Sequence, residues 1–136
     1  MSERGGAGER NLTGIWNGLY TYPHGQSTAF VATLIDGVSS LTGTTHEPDT
    51  FGDPPGTARF ATLIGSRRGS AVTFTKRYDR PGPNNSSPIF YEGALNGEGT
   101  EIEGRWTIVG VWSGKFLMIR SAGEQMKASR KAVEHV

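Results

Sequence analysis

Apolar and polar side chains alternate along most of the chain, in short runs separated by clusters of glycine, proline, asparagine and aspartate. Alternation with a period of two residues is typical of β-strands that bury one face, because successive side chains point to opposite sides of a sheet. The pattern predicts eight strands, at residues 12–22, 27–36, 39–47, 57–66, 70–79, 87–95, 100–109 and 114–121. No helix pattern lies between these runs, so the sequence predicts an all-β protein.

The connections between the predicted strands are mostly short, which favours an antiparallel meander. Asp36-Gly37 and Asn96-Gly97 are expected to form tight hairpin turns, since such turns need residues that accept a positive φ. An open sheet would leave two edge strands unpaired, and closure removes both edges. We therefore predict a small eight-stranded antiparallel up-and-down β-barrel, with a two-sheet sandwich as the alternative.

The 136 residues are enough for one domain with a sizeable core. We interpret residues 1–11, rich in glycine and charge, as a disordered arm, and residues 12–121 as the barrel domain. Residues 122–136 form a polar tail whose sparse apolar positions would allow a short helix. Two longer loops, 48–56 and 80–87, carry most of the prolines.

The more apolar parity of each strand gives the predicted interior of the barrel. Its members are Leu12, Trp16, Tyr20, Phe30, Leu34, Leu41, Phe60, Ile64, Val72, Phe74, Tyr78, Ile89, Tyr91, Ile102, Trp106, Ile108, Phe116 and Met118. Glycines at the same parity are expected where a narrow barrel bends or needs space beside a bulky side chain. On the opposite face, Ile15, Leu19 and Val31 predict an outer apolar patch and a candidate homo-oligomer interface.

The composition narrows the classes of partner. The formal net charge is +1 and the basic residues are scattered, so we expect neither nucleic acid nor membrane as a partner. The chain has no cysteine, which excludes disulfides and thiol chemistry, and its three histidines lack metal-ligand spacing. We therefore expect no metal and no cofactor. The first twenty residues lack the apolar stretch of a secretory signal, and a cytoplasmic location is the expectation.

The run Gly14-Ile15-Trp16 resembles the Gly-x-Trp of the first strand in the calycin barrels, the lipocalins and avidins. In lipocalins this tryptophan closes one end of the barrel, and an arginine late in the last strand packs across it. Arg120 stands at the corresponding place. The lipocalin resemblance implies a small apolar ligand held in the cup.

The resemblance to avidins rests on the order of four short motifs, LTGIWNG, LTGT, AVTFTK and EGRWTI, which match the avidin strands one, three, five and seven. Two departures concern the ligand site. Gly18 stands where avidins carry a biotin-contacting asparagine, and Thr45 stands where they carry a tyrosine. The resemblance therefore implies the fold and does not imply biotin binding.

Lys76 is the unusual residue of the predicted interior, between Phe74 and Tyr78 on the same face. A buried cation needs a partner, access to solvent or a lowered pKa. One hypothesis groups Lys76 with Tyr78, Glu47 and His46 at one mouth of the barrel, as a site for a carboxylate or phosphate. The other places Lys76 near the strand end, where its ammonium reaches the rim and water.

Three functions remain open from the sequence. The first is a binding protein for a small, partly apolar or anionic ligand at the barrel mouth. Its candidate site residues are Tyr20, Glu47, Lys76, Tyr78, Tyr91, Trp106 and Arg120. The second is a filled barrel that acts as a structural or interaction module through its outer surface and loops. The third is a barrel enzyme with Lys76 or Glu47 as acid or base, and it lacks a recognisable nucleophile–base pair.

Overall fold

The computed structural model describes residues 11–48, 58–79 and 87–120, which form a closed barrel. Its strands are β1 (Gly14–Thr21), β2 (Ser27–Gly37), β3 (Ser40–Pro48), β4 (Ala58–Arg68), β5 (Ala71–Tyr78), β6 (Ile89–Leu95), β7 (Glu101–Ile108) and β8 (Trp112–Ile119). Each strand pairs antiparallel with the next in sequence, and β8 pairs with β1. The predicted all-β, eight-stranded up-and-down barrel is therefore confirmed. Residues 1–10 of the predicted arm, the predicted tail, and most of the two long loops lie outside the described residues.

Closure depends on a short seam between the first and last strands. Only five residue pairs join β1 to β8, from Asn17 opposite Ile119 to Thr21 opposite Lys115. By comparison, nine pairs join β3 to β4. The seam nevertheless leaves no unpaired edge strand, which is the feature that protects a β-sheet from pairing with other chains.

Aromatic rings fill much of the barrel interior. Phe74 stacks on Tyr91 with ring centroids 4.8 Å apart, and Phe116 meets Tyr91 edge-on at 4.9 Å. Inward glycines make room for such rings: a Cβ at Gly18 would overlap the ring of Phe30. A small residue beside a large ring lets a narrow barrel close without voids.

The fourth strand faces the opposite way from the prediction. Phe60 and Ile64, expected inside, are 55% and 62% exposed, whereas Ala61 and Leu63 are buried. The reason is the pairing with β3, in which Phe60 lies opposite the outward-facing His46. Residues directly opposite in an antiparallel pair share a face, so the register with β3 outweighs the size of the β4 side chains.

The two predicted Asp-Gly and Asn-Gly turns are also wrong in detail. Gly37 still pairs with Ser40, so the β2–β3 turn consists of Val38 and Ser39, and Val38 takes a φ of 78°. Between β6 and β7 the chain makes a longer loop, in which the Asn96 side chain accepts hydrogen bonds from the backbone N–H groups of Thr100 and Glu101. In the β2–β3 turn the Asp36 carboxylate likewise accepts a hydrogen bond from the Val38 backbone N–H, so a side chain bonds the turn backbone at both places.

One end of the barrel, called here the plug end, is closed by Trp16 and Arg120. Trp16 is fully buried, its indole N–H donates to the carbonyl of Leu12, and the Arg120 guanidinium lies 4.6 Å from its ring centroid. Arg120 also donates to the backbone carbonyls of Asn11, Thr13 and Gly99. These bonds tie the start of β1 to the end of β8 across the seam.

A second pair of charges supports the plug end. The guanidinium of Arg67 in β4 bonds the carboxylate of Asp36 in β2, and both side chains are almost fully buried. Asp36 also accepts a hydrogen bond from the backbone N–H of Leu12. The chain entering β1 is therefore held by both the second and the last strand.

The register of β4 can be tested with two neighbouring positions. Leu63→Ala should lower the free energy of unfolding by about 2–5 kcal/mol, because it empties space in the core. Ile64→Thr keeps a β-branched side chain on the solvent face and should change it by less than about 1 kcal/mol. Urea denaturation of both variants measures the difference. A larger loss for Ile64→Thr would mean that the observed facing of β4 is wrong.

Candidate functional site

The Glu47 carboxylate is the centre of a buried polar cluster inside the barrel. It accepts hydrogen bonds from the Tyr20 hydroxyl at 2.6 Å, the Tyr78 hydroxyl at 3.1 Å and the Lys76 ammonium at 2.8 Å. Glu47 is 2% exposed and Lys76 is 0% exposed. Three donors on one carboxylate offset much of the cost of removing its charge from water.

The alternation of three strands brings these groups together. Tyr20 is near the end of β1, Glu47 near the end of β3, and Lys76 and Tyr78 are alternate residues of β5. In an up-and-down barrel the ends of odd-numbered strands meet at the same rim, because alternate strands run in the same direction. The cluster therefore lies at the end opposite the plug, which we call the mouth.

Arg59 adds a second cation to the cluster. It lies directly opposite Glu47 in the β3–β4 pairing and on the same face. Its guanidinium nitrogen is 3.9 Å from the Glu47 carboxylate, and its guanidinium carbon is 3.8 Å from the centroid of the Tyr78 ring. The Arg59 side chain is 17% exposed, so it links the buried carboxylate to the solvent at the mouth.

Aromatic faces surround the Lys76 ammonium. Its nitrogen lies 4.9 Å from the ring centroids of Tyr20 and Tyr78, 5.2 Å from Phe30 and 5.9 Å from Tyr91. Rings at these distances stabilise a cation through their quadrupoles. Among the described residues, Glu47 supplies the one oxygen that accepts a hydrogen bond from this ammonium.

Burial dominates the protonation of the cluster. It lowers the pKa of Lys76, although the neighbouring Glu47 carboxylate opposes the shift. It raises the pKa of the phenols of Tyr20, Tyr78 and Tyr91, and the Glu47 charge raises each of them further. All three phenols therefore stay protonated through the neutral range and can act as hydrogen-bond donors.

Thr45 lies two residues before Glu47 on the same face of β3. The hydroxyl of Thr45 is buried and has no hydrogen-bond partner among the described residues. Its neighbours across the sheet are Ala32 in β2 and Ala61 in β4, both small. An unsatisfied buried hydroxyl destabilises the protein unless a water molecule or a ligand bonds it.

Aromatic side chains continue from the cluster to the rim of the mouth. Trp106 meets the Tyr20 ring edge-on at 6.2 Å and donates its indole N–H to the carbonyl of Thr21. Tyr22 packs against Trp106 at 5.7 Å and against the half-exposed Trp112 at 4.9 Å. The wall of the mouth is thus apolar on the side formed by β1, β7 and β8.

The structure places six of the seven candidate residues from the sequence in or beside this cluster. They are Tyr20, Glu47, Lys76, Tyr78, Tyr91 and Trp106. Arg120 is the exception, because it lies at the plug end over Trp16. His46, included in one sequence hypothesis, faces outward beside Phe60. The placement of Lys76 at the solvent-exposed rim is wrong, since its ammonium is fully buried against Glu47.

Arg59 was not among the residues proposed from the sequence, and Thr45 was noted only as a departure from the avidin tyrosine. Residues alternate along β4, so the assignment of Phe60 and Ile64 to the interior placed Arg59 on the outer face. An inward-facing Leu63 would have placed Arg59 inside. Thr45 lies on the predicted inward parity with Leu41 and Glu47. A polar residue at an inward position was the signal in the sequence that could have indicated a site residue.

Two classes of feature are not found in the described part of the chain. Its histidines and acidic residues nowhere form a group of three that would hold a metal ion. It also contains no helix of the length and apolar character needed to cross a bilayer.

Comparisons with protein-family models, with curated proteins and with solved structures find no match to this chain. The fold and the cluster therefore carry the functional argument alone.

The buried ion pair leads to a double-mutant prediction. Lys76→Met leaves the Glu47 charge inside the barrel without its nearest cation, and Glu47→Leu leaves Lys76 without its oxygen partner. Each single variant should lose about 3–5 kcal/mol of unfolding free energy, whereas the double variant should lose clearly less than the sum of the two, because neither charge is then left unpaired. Urea denaturation of the four proteins gives the coupling energy. Additive losses would show that the two side chains are not paired.

The three buried tyrosines predict a loss of stability in alkali. Unfolded tyrosines release their protons near pH 10.0, whereas the raised pKa of Tyr20, Tyr78 and Tyr91 keeps the folded state protonated. The free energy of unfolding should therefore fall above pH 10, approaching about 1.4 kcal/mol per pH unit for each tyrosine. Lys76 acts in the opposite direction below about pH 10.5, because its lowered pKa makes the folded state release this proton first.

Denaturation curves between about pH 8 and pH 11 measure this slope. Tyr91→Phe removes one of the three phenols, and the fall of stability in alkali should become less steep by up to about 1.4 kcal/mol per pH unit. An unchanged slope in that variant would mean that the Tyr91 hydroxyl is ionised in the folded protein.

Proposed function

We propose that this protein binds a small ligand with an apolar body and an anionic oxygen group, such as a carboxylate, at the mouth of the barrel. The observation that carries the proposal is the Lys76 ammonium, buried and bonded to a single oxygen among the described residues. An ammonium has three donors, and buried donors need acceptors. A ligand carboxylate supplies the missing oxygens.

The charge of the cluster supports an anion. Lys76 and Arg59 are both cationic and share the one carboxylate of Glu47. A ligand anion would balance the second positive charge. Arg59 suits this role, because it reaches solvent and lies 3.9 Å from Glu47, a longer approach than the 2.8 Å of Lys76. A planar guanidinium can also bond both oxygens of a carboxylate.

The surroundings of the cluster support an apolar ligand body. Tyr20, Phe30 and Tyr91 present ring faces and edges beside the charges, and Trp106 extends the wall towards the rim. Binding sites for small molecules are typically lined by apolar rings with a few placed polar groups. The closure of the other end by Trp16 and Arg120 supports the calycin-type assignment, in which the opposite end of the barrel admits the ligand.

A direct test compares two probes of the same shape, trans-cinnamate and cinnamyl alcohol. Isothermal titration calorimetry should give at least about tenfold tighter binding for the acid, since charge-assisted hydrogen bonds exceed neutral ones by that margin. Arg59→Gln should remove most of the difference. Arg105→Gln, which alters an exposed arginine on the outer face of β7, is the matched control and should leave it unchanged. Equal affinity for acid and alcohol in the native protein would refute anion recognition.

A second candidate function is assembly through the outer surface of β1 and β8. Ile15, Leu19 and Ile119 are 48%, 42% and 43% exposed there. Val31, the third member of the outer apolar patch predicted from the sequence, is half-buried in the adjacent strand β2. Native mass spectrometry distinguishes the two functions. A defined oligomer without bound small molecules would favour assembly, whereas a monomer with a mass excess that is lost on denaturation would favour ligand binding.

A further inference from the structure

Lys76 has a chemical capacity that anion binding alone does not use. It is the one described lysine inside the barrel, whereas Lys115 lies on the outer face of β8. Its ammonium is fixed by Glu47 and by the rings of Tyr20 and Tyr78. A lysine held in a dry, shaped site can react as a nucleophile when it loses its proton.

Glu47 can accept that proton. The Lys76 nitrogen and the nearest Glu47 oxygen are 2.8 Å apart, which is a transfer distance. In a dry interior a pair of neutral groups competes with an ion pair, because both charges lose their hydration. The same burial lowers the pKa of Lys76 and so favours the free amine.

We propose that Lys76 forms an imine with planar, conjugated aldehydes that enter the mouth of the barrel. This inference rests on the proposed function, since the same mouth and ring-lined wall would hold the ligand body. The anionic group of the first proposal and the aldehyde of this one would occupy the same place beside Lys76.

The reaction balances within the cluster. The ammonium gives one proton to Glu47, and the free amine adds to the aldehyde carbon to form a carbinolamine. The carbinolamine loses its hydroxyl as water, using the proton held by Glu47, and leaves a cationic iminium beside the Glu47 carboxylate. One water is released, no oxidant or reductant is consumed, and the ion pair at the end carries the same charges as the ion pair at the start.

The surroundings fit each stage of this reaction. Tyr20 and Tyr78 both donate to the second Glu47 oxygen, at 2.6 and 3.1 Å, and leave the first oxygen to Lys76. When Glu47 takes up the Lys76 proton, either phenol can turn its single O–H from Glu47 to the developing alkoxide of the carbinolamine. The four rings around the Lys76 nitrogen would stabilise the iminium as they stabilise the ammonium.

The test uses trans-cinnamaldehyde as the probe, at a concentration below that of the full-length protein, followed by reduction with sodium cyanoborohydride. The labelled fraction of the protein should gain the mass of one cinnamyl group, and peptide mapping should place that group on Lys76. Lys115 serves as the exposed internal control, and its labelling should be at least about tenfold slower. The chain has no cysteine, so no thiol competes for this electrophile. In urea the preference for Lys76 should disappear.

Glu47→Gln removes the proton acceptor and should slow the labelling of Lys76 at least about tenfold. Because this variant can also weaken the fold, circular dichroism is used to check that it is folded. The peptide map of the labelled native protein tests the inference independently of this variant. Labelling of Lys115 in preference to Lys76 in the native protein overturns the inference.

Calorimetry with trans-cinnamate separates this inference from the proposed function. Cinnamate binding without labelling of Lys76 overturns the imine and leaves anion binding in place. Labelling of Lys76 without cinnamate binding supports the imine and overturns anion recognition. If the protein is folded but neither binds cinnamate nor is labelled at Lys76, the imine and the anion recognition are both overturned.

Discussion

The ion pair between Glu47 and Lys76 is the constraint on which the rest of the barrel depends. Two charges that are almost fully removed from water are tolerated only with close contact and additional donors. Both tyrosine hydroxyls provide those donors, so β1, β3 and β5 must keep one fixed register. The ion pair thus fixes the relative positions of the three strands that carry the polar cluster.

The buried cations at the two ends of the barrel differ in how many acceptors they bond. At the plug end, Arg120 and Arg67 bond backbone carbonyls and Asp36, and both are nearly buried. At the mouth, the Lys76 ammonium has one oxygen partner among the described residues, and Arg59 reaches the solvent. Buried arginines with several acceptors stabilise a fold, whereas a buried ammonium with one acceptor can bind another group.

The fold was predictable from the sequence because alternation with a period of two residues needs no knowledge of neighbouring strands. The facing of β4 could not be predicted, because both of its faces carry apolar side chains: Phe60 and Ile64 on one, Ala61 and Leu63 on the other. The register with β3 decides between them, and that information is carried by the pairing of His46 with Phe60. The sequence left Lys76 open between the rim and a cluster with Glu47, because these two residues are 29 positions apart and only the pairing of the strands brings them together.

The short seam between β1 and β8 determines when the interior becomes dry. Its five pairs join residues 17–21 to residues 115–119, so the barrel closes only after almost all of the described chain has been synthesised. In the closed barrel the tyrosine hydroxyls and the aromatic rings offset the cost of burying Glu47 and Lys76. A chain without β8 would leave two strand edges unpaired, so β8 is the strand whose pairing removes the edges that are open to other chains.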